Sequence, residues 1–307
     1  YSLEGLSRLA SFCESLEYNT FWYTDVRFGR ECYVSLSAIA AATSKISLGP
    51  GVSDPYTRHP AMTAASIATL DELSAGRAVL GLGTGGQGFR ELGIERKLPV
   101  AALRETVEIV RALWRGEQVD YNGKVLSLNG GELAFQPLRD RIPIYFATHG
   151  AQVSKLAGKL ADGVLIANTL EPQMLSFYMN RIQEGMSSAG RDMHSFDFGL
   201  RIEACISSDY EAAFAVMRRR MASRLIGQYP HWDYLSVLGI TLPPEFIEIA
   251  AKKDQSLTDQ AASVMPREVV EYTVLAGDAE RVAEQLARVM RPEVGSITIR
   301  PHAVPGE

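Results

Sequence analysis

The sequence predicts a parallel α/β fold, and three observations carry that reading. Short apolar runs recur near residues 20, 46, 78, 143, 163, 198 and 295, with segments of helical period between most of them. Two of the runs end in glycine, at Gly49-Pro50-Gly51 and at Gly83-Thr84-Gly85. Glycine at a buried strand's end marks a place where something approaches the backbone closely. The alternation suits a (β/α)8 barrel or a doubly wound sheet. No Gly-x-Gly-x-x-Gly follows a first strand, which weighs against the dinucleotide-binding version of the latter.

The elements follow in order. Residues 3–16 place Leu3, Leu6, Leu9 or Ala10, Cys13 and Leu16 on one helical face. Phe21-Trp22-Tyr23-Thr24 is an aromatic strand ending at Asp25. Residues 33–42 form an apolar helix leading to the strand at Ile46. Residues 61–73 carry Ala61, Ala64, Ala65 and Ala68 at helical spacing, and Gly76 closes that helix. Residues 78–83 are the next buried strand, and residues 101–114 the next helix. Residues 118–136 are turn-rich, with Asn122-Gly123 and Asn129-Gly130-Gly131, and predict an inserted hairpin. Strands then fall at 143–147, 163–167, 198–206 and 295–300, with helices at 153–160, 174–187, 211–226, 266–275 and 279–290. Residues 229–264 break the rhythm and read as a helical insertion containing His231, Trp232, Tyr234, Pro243 and Pro244.

Composition narrows the class. A chain of 307 residues suffices for one large barrel or two domains. A net charge of −5 argues against general nucleic-acid binding, and no apolar run is long enough to span a bilayer. Cys13, Cys32 and Cys205 are few and far apart, and read as buried thiols of a cytoplasmic protein. His59, His149, His194, His231 and His302 show no ligand spacing, so no metal centre is expected. The first residue is Tyr1 and not Met.

Residues 48–86 resemble the bacterial-luciferase-like superfamily, and within it the coenzyme F420-dependent methylenetetrahydromethanopterin reductases. The likeness rests on LGPGV at 48–52, on Pro55-Tyr56-Thr57-Arg58-His59-Pro60, and on ASIATLDELSAGRAVLGLG at 65–83. It implies a single luciferase-like TIM barrel over 1–307, with the 229–264 insertion over the active-site face. The superfamily has a strand ahead of the first helix found here, so the first strand is expected to be missing. The resemblance also implies a homodimer or homotetramer built through helices around residues 30–70.

The site residues follow in the same way. Gly51 and Val52 are expected to form a cis peptide bond behind the middle ring of F420. Gly83, Thr84 and Gly85 are expected as a second wall. Thr148, Gly150, Ala151, Gln152 and Val153 are expected to hold the coenzyme's phosphate-bearing side chain. Free N–H groups and the helix dipole at that helix start suit an anion independently of the resemblance. Ala167 and Asn168 are expected at the ring's pyrimidine-like edge. Asp25 and His149 are the candidate catalytic groups. Thr57, Arg58 and His59 match the family well and suggest a structural duty.

Two departures limit the transfer. Val26 stands where the family has His after the Asp, and Gly86-Gln87 replace an acidic residue near the reacting carbon. The expected function is therefore hydride transfer between F420 and an unidentified small organic substrate. The alternatives are an FMN-dependent two-component monooxygenase and a non-catalytic flavin-binding protein.

Overall fold

In the computed structural model, which describes residues 1–307 except 86, 87, 90, 195 and 307, the contacts define two units. One is Tyr1–Ala147 with Leu160–Gly163, the other Thr148–Lys159 with Val164–Glu307.

The first unit opens on α1 (Leu3–Ser15), β1 (Thr20–Tyr23), α2 (Cys32–Ala42) and β2 (Ser47–Pro50). It continues through α3 (Pro60–Leu73), β3 (Leu80–Leu82), α4 (Pro99–Trp114), the hairpin β4 (Val119–Asn122) and β5 (Ser127–Gly131), and β6 (Ile144–Thr148). Strands β1 and β2 are parallel, with Trp22 opposite Gly49. Bridges from Leu48 to Ala78 and from Ser53 to Leu82 bring β2 beside β3, which pairs in parallel with β6. The spacing is tight enough to dictate residue type. A Cβ on Gly49 would lie 1.9 Å from the Val79 carbonyl oxygen, and one on Gly81 would lie 2.1 Å from that of Pro50. The alanine face of α3 is partly consumed inside the chain. Ala64 and Ala68 are fully buried, and the Trp114 indole of α4 donates to the Ala64 carbonyl at 3.1 Å. The hairpin forms as expected and is antiparallel, Tyr121 facing Leu128.

The second unit contains α5 (Ala151–Leu160), β7 (Gly163–Ala167), α6 (Pro172–Ser188), β8 (Asp197–Ile206) and α7 (Tyr210–Gln228). Short helices α8 (Asp233–Val237), α9 (Pro244–Ala251) and α10 (Thr258–Val264) occupy the stretch read as a helical insertion. Then come α11 (Arg267–Glu271), β9 (Leu275–Gly277), α12 (Ala279–Ala287) and β10 (Ser296–His302). Strand β10 pairs with β8 over seven residues, from Ser296 opposite Gly199 to His302 opposite Cys205. Helices α5 and α6 meet at glycines: a Cβ on Gly158 would sit 2.1 Å from the Ile182 carbonyl oxygen, and one on Gly185 2.0 Å from that of Lys155.

One sequence expectation is corrected. Residues 266–275 are not one helix. Helix α11 ends at Glu271, and β9 pairs with the end of β8, Leu275 lying opposite Ala204. A three-residue strand is too short to display a period of two, so hydropathy merges it with the helix before it. Among the described residues the parallel strands therefore number eight, one more than the pattern shows.

Candidate active site

In the first unit the glycine-bearing strand ends form one stitched surface. The Gly51–Val52 peptide bond is cis, as the resemblance implies. The Gly51 N–H donates to the Tyr23 carbonyl at 2.7 Å, Ser53 N–H to Gly81 at 3.0 Å, and Gly83 N–H to Ser53 at 2.9 Å. Residues 51–53 are thus tied to both β1 and β3. A Cβ on Gly51 would meet the Trp22 Cβ at 2.8 Å, and one on Gly83 the Val52 side chain at 2.7 Å. Gly85 has φ +78°, which favours glycine, and Thr84 stands between the two. The expected wall of Gly51, Val52, Gly83, Thr84 and Gly85 is therefore fixed by backbone hydrogen bonds, with the Trp22 and Val52 side chains packed where Cβ atoms on Gly51 and Gly83 would lie. Gly86 and Gln87 lie outside the described residues.

Asp25, at the end of β1, is held by two donors on the same oxygen. Its Oδ2 accepts from Ser53 Oγ at 2.6 Å and from Arg58 Nε at 3.0 Å. Arg58 also pairs with Glu31 and lies over the Tyr33 ring at 4.8 Å. Burial opposes the Arg58 charge, but the bonds and charges of Asp25 and Glu31 more than offset it and raise its pKa. Asp25, Arg27, Phe28, Thr57 and Arg58 line a cavity of about 320 Å³. The rest of the Thr57-Arg58-His59 motif is structural. Asp54 accepts from the N–H groups of Tyr56 and Thr57 at 2.9 Å each and from the Thr57 hydroxyl at 2.7 Å. His59 caps α3: its Nδ1 accepts from the Ala61 N–H at 3.2 Å, so Nε2 carries the proton and donates to the Ser127 carbonyl at 2.9 Å.

In the second unit the turn from Thr148 to α5 is shaped by one hydroxyl. Thr148 Oγ1 accepts from the Gly150 N–H at 3.1 Å. The Ser154 N–H donates back to Gly150 O at 2.9 Å and starts the helical ladder. The N–H groups of Ala151, Gln152 and Val153 precede that first bond and are left for a partner from outside the helix. Ala151 and Gln152 are exposed, and a Cβ on Gly150 would meet nothing within 4 Å. The turn is open where an anion's oxygens would sit.

His149 is enclosed. It stacks on Tyr234 with ring centroids 5.1 Å apart, its Nδ1 lies 3.5 Å from the Tyr178 hydroxyl, and its Nε2 faces an Arg224 nitrogen. Burial and the nearby guanidinium groups of Arg224 and Arg201 hold its pKa well below the ordinary imidazole value. Ala167 and Asn168 end β7. The Asn168 backbone N–H donates to Arg201 O at 2.9 Å, and its side-chain oxygen accepts from the Glu203 N–H at 3.2 Å. Its amide nitrogen meets Met221 Sδ at 3.3 Å, and the residue is fully buried. The Asn168 amide is thus committed to joining β7 and β8, a duty its sequence position does not announce.

The sequence reading missed one cluster altogether. The fully buried Glu203 carboxylate is met by Arg220, by Arg224 Nη1 at 3.3 Å, by Arg201 Nη1 at 3.7 Å, by Arg300 Nη1 at 4.0 Å and by His302 Nε2 at 3.0 Å. Burial would raise the Glu203 pKa, but the bonds from His302 and Arg220 and the charge of Arg224 hold it far below the carboxylate range. Strand alternation places Arg201 and Glu203 on one face of β8, and the i, i+4 spacing places Arg220 and Arg224 on one face of α7. Those two local signals are present in the sequence, but nothing in it joins them.

Comparison with known proteins identifies the family. The family model described as luciferase-like monooxygenase matches residues 2–294. The 5,10-methylenetetrahydromethanopterin reductase of Archaeoglobus fulgidus is 37% identical over 231 residues, covering 75% of this chain and 68% of that protein. The F420-dependent glucose-6-phosphate dehydrogenase of Nocardia farcinica is 30% identical over 265 residues, covering 82% and 71%. The structure of the F420-dependent tetrahydromethanopterin reductase of Methanopyrus kandleri superposes with a TM-score of 0.83 at 26% identity, covering 99% of this chain and 90% of that one. The fold is accordingly the luciferase-like TIM-barrel type. The chain belongs to the luciferase-like monooxygenase family, among its members that resemble F420-dependent methylenetetrahydromethanopterin reductases.

Proposed function

We propose that this chain is an F420-dependent oxidoreductase that moves a hydride between the deazaflavin and a small organic substrate. The observation that carries the reading is the hydrogen-bonded backbone of residues 51–53 and 83–85 in a chain whose relatives are named for F420. At Gly51 and Gly83 the absent Cβ makes room for Trp22 and Val52, so the glycines set the shape of this wall. In the second unit, the N–H groups of Ala151, Gln152 and Val153 suit a phosphate at a helix start. Bound F420 supplies two-electron hydride chemistry, and the protein supplies position.

The two catalytic candidates act by positioning. Asp25 is an anion locked between Ser53 and Arg58 and keeps residues 51–53 in place. His149 has its Nε2 lone pair facing Arg224, so it has no proton to give from that nitrogen. Because of the departures at Val26 and at Gly86-Gln87, methylenetetrahydromethanopterin is not assigned as the substrate.

Fluorescence titration of the purified chain with F420 and, separately, FMN tests the reading. Saturable F420 binding with weaker FMN binding is expected. Tighter FMN binding would replace it with a reduced-flavin oxygenase, and binding of neither would end it.

A further inference from the structure

Four arginines surround one carboxylate in the second unit, and the charge does not balance. Among the described residues Glu203 is the only acidic side chain that pairs with Arg201, Arg220, Arg224 or Arg300. His302 already occupies part of the same carboxylate. The surplus is placed where donors go unused. The Arg201 side chain is 13% exposed, approaches Glu203 at 3.7 Å and makes no hydrogen bond to a described residue. The Arg224 Nε is buried without a partner among the described residues, although its two terminal nitrogens reach Glu203 and His149. Arg300 reaches Glu203 only at 4.0 Å and is 38% exposed.

Buried guanidinium donors without acceptors are costly, and folded chains rarely keep them without a use. The planar fork of arginine matches the paired oxygens of carboxylate and phosphate. The location agrees with binding. Arg300 and His302 end β10, Glu203 lies opposite Arg300, and parallel α/β folds bind ligands at the carboxyl ends of their strands.

We propose that Arg201, Arg224 and Arg300 form an oxyanion subsite that takes a carboxylate or phosphate group of a small molecule bound by this enzyme. Glu203 and Arg220 fix the guanidinium planes. The incoming anion accepts the free donors of Arg201 and Arg224, and Arg300 at the exposed side closes on it. The subsite deepens the oxidoreductase reading by giving its coenzyme or its second reactant an anionic anchor. Oxyanion binding itself does not depend on that reading.

The test is calorimetric titration of the full chain with inorganic phosphate and, separately, citrate at low ionic strength, for wild type, Arg201→Gln and Arg300→Gln. Saturable binding of at least one anion is expected in wild type. Each variant should weaken it roughly 10- to 100-fold, the loss expected for a charged hydrogen bond. Binding of neither anion, or equal affinity in both variants, would overturn the subsite. Circular dichroism checks each fold, and Arg300→Gln, at the exposed edge, remains informative if Arg201→Gln does not fold.

A second titration identifies the source of the anion. F420 and the same deazaflavin cut back to its ribityl alcohol are compared on wild type and Arg201→Gln. Selective weakening of F420 assigns the subsite to the coenzyme's side chain. Unchanged binding of both, with phosphate binding lost, assigns it to the second reactant. Anion binding that depends on the arginines in a chain that binds no F420 upholds the subsite and rejects the coenzyme reading.

Discussion

His149 Nε2 and the Arg224 guanidinium face one another, and the pair fixes the imidazole's protonation. Arginine can only donate, so Nε2 accepts and the single ring proton sits on Nδ1, towards the Tyr178 hydroxyl at 3.5 Å. A proton on Nε2 would also put a second cation against Arg224. Folded His149 therefore stays neutral well below the pH at which an ordinary imidazole takes up its proton.

That state has a pH consequence. The folded pKa is depressed below the unfolded value of 6.5, so the unfolded chain takes up the proton first. Native stability is full above about pH 6.5 and falls as the pH drops towards the lower folded value. Denaturant midpoints measured from pH 8 to pH 5 should show this loss, and His149→Phe should flatten the profile. Nitrogen NMR of labelled His149 should find the proton on Nδ1. A protonated Nε2 at pH 7 would refute the assignment.

Glu203 holds its arginines together, and its removal should be severe. The side chain is fully buried and meets Arg220, Arg224 and His302 directly. Glu203→Gln leaves buried cations without their counter-charge, a class of change that costs about 3–5 kcal/mol. The wild-type carboxyl is held far below its unfolded value of 4.5, so its contribution is complete above that pH and is lost as acid is added. Chemical denaturation at pH 7 and pH 3.5 should find a large gap between wild type and Glu203→Gln at the former and a smaller gap at the latter.

The glycines divide into two kinds that sequence cannot separate. Gly81→Ala drives a methyl to 2.1 Å from the Pro50 carbonyl oxygen, while Gly150→Ala meets nothing within 4 Å. Backbone cannot yield cheaply, so Gly81→Ala should destabilise by about 3 kcal/mol or more, at or beyond the top of the overpacking range. Gly150→Ala should change stability by less than about 0.5 kcal/mol. If F420's phosphate-bearing side chain lies against the turn at residues 148–153, Gly150→Ala should nonetheless weaken F420 binding. Thermal melts and fluorescence titration on the two variants separate packing from contact.

Much of the fold was legible because buried strands and amphipathic helices write themselves as local periodicity. The runs at 20, 46, 143, 163 and 295 all became strands within a residue or two of where they were read. Strand β9 was illegible because three residues carry no period. The glycine walls were legible through the motif, since close backbone approach demands glycine at fixed positions. The arginine cluster was not. Arg201, Arg220 and Arg224 belong to one strand–helix unit, but Arg300 arrives from a strand nearly a hundred residues later, by a register that only pairing sets. The partner of Asn168 was illegible for a related reason: its side-chain oxygen accepts from the Glu203 N–H, a neighbour 35 residues away.

Asp25 offers the last discrimination, between an acid and an anchor. Both donors fall on Oδ2, one from Ser53 beside the Gly51–Val52 turn and one from Arg58. The side chain of Asp25 is 14% exposed and that of Arg58 27%, so the pair is shielded but not dry. Asp25→Asn keeps the shape and removes the charge. It should lower stability by about 1–3 kcal/mol, the range for a hydrogen bond to a charged group, and weaken F420 binding as residues 51–53 loosen. Arg58→Lys retains a charge but loses the Nε geometry, so it should show the same two losses in smaller measure. A proton donor would behave otherwise. Asp25→Asn would then abolish turnover with unchanged melting temperature and unchanged coenzyme affinity, and Arg58→Lys would leave turnover intact. Melting curves and F420 titrations on the two variants decide between these patterns before any substrate is known.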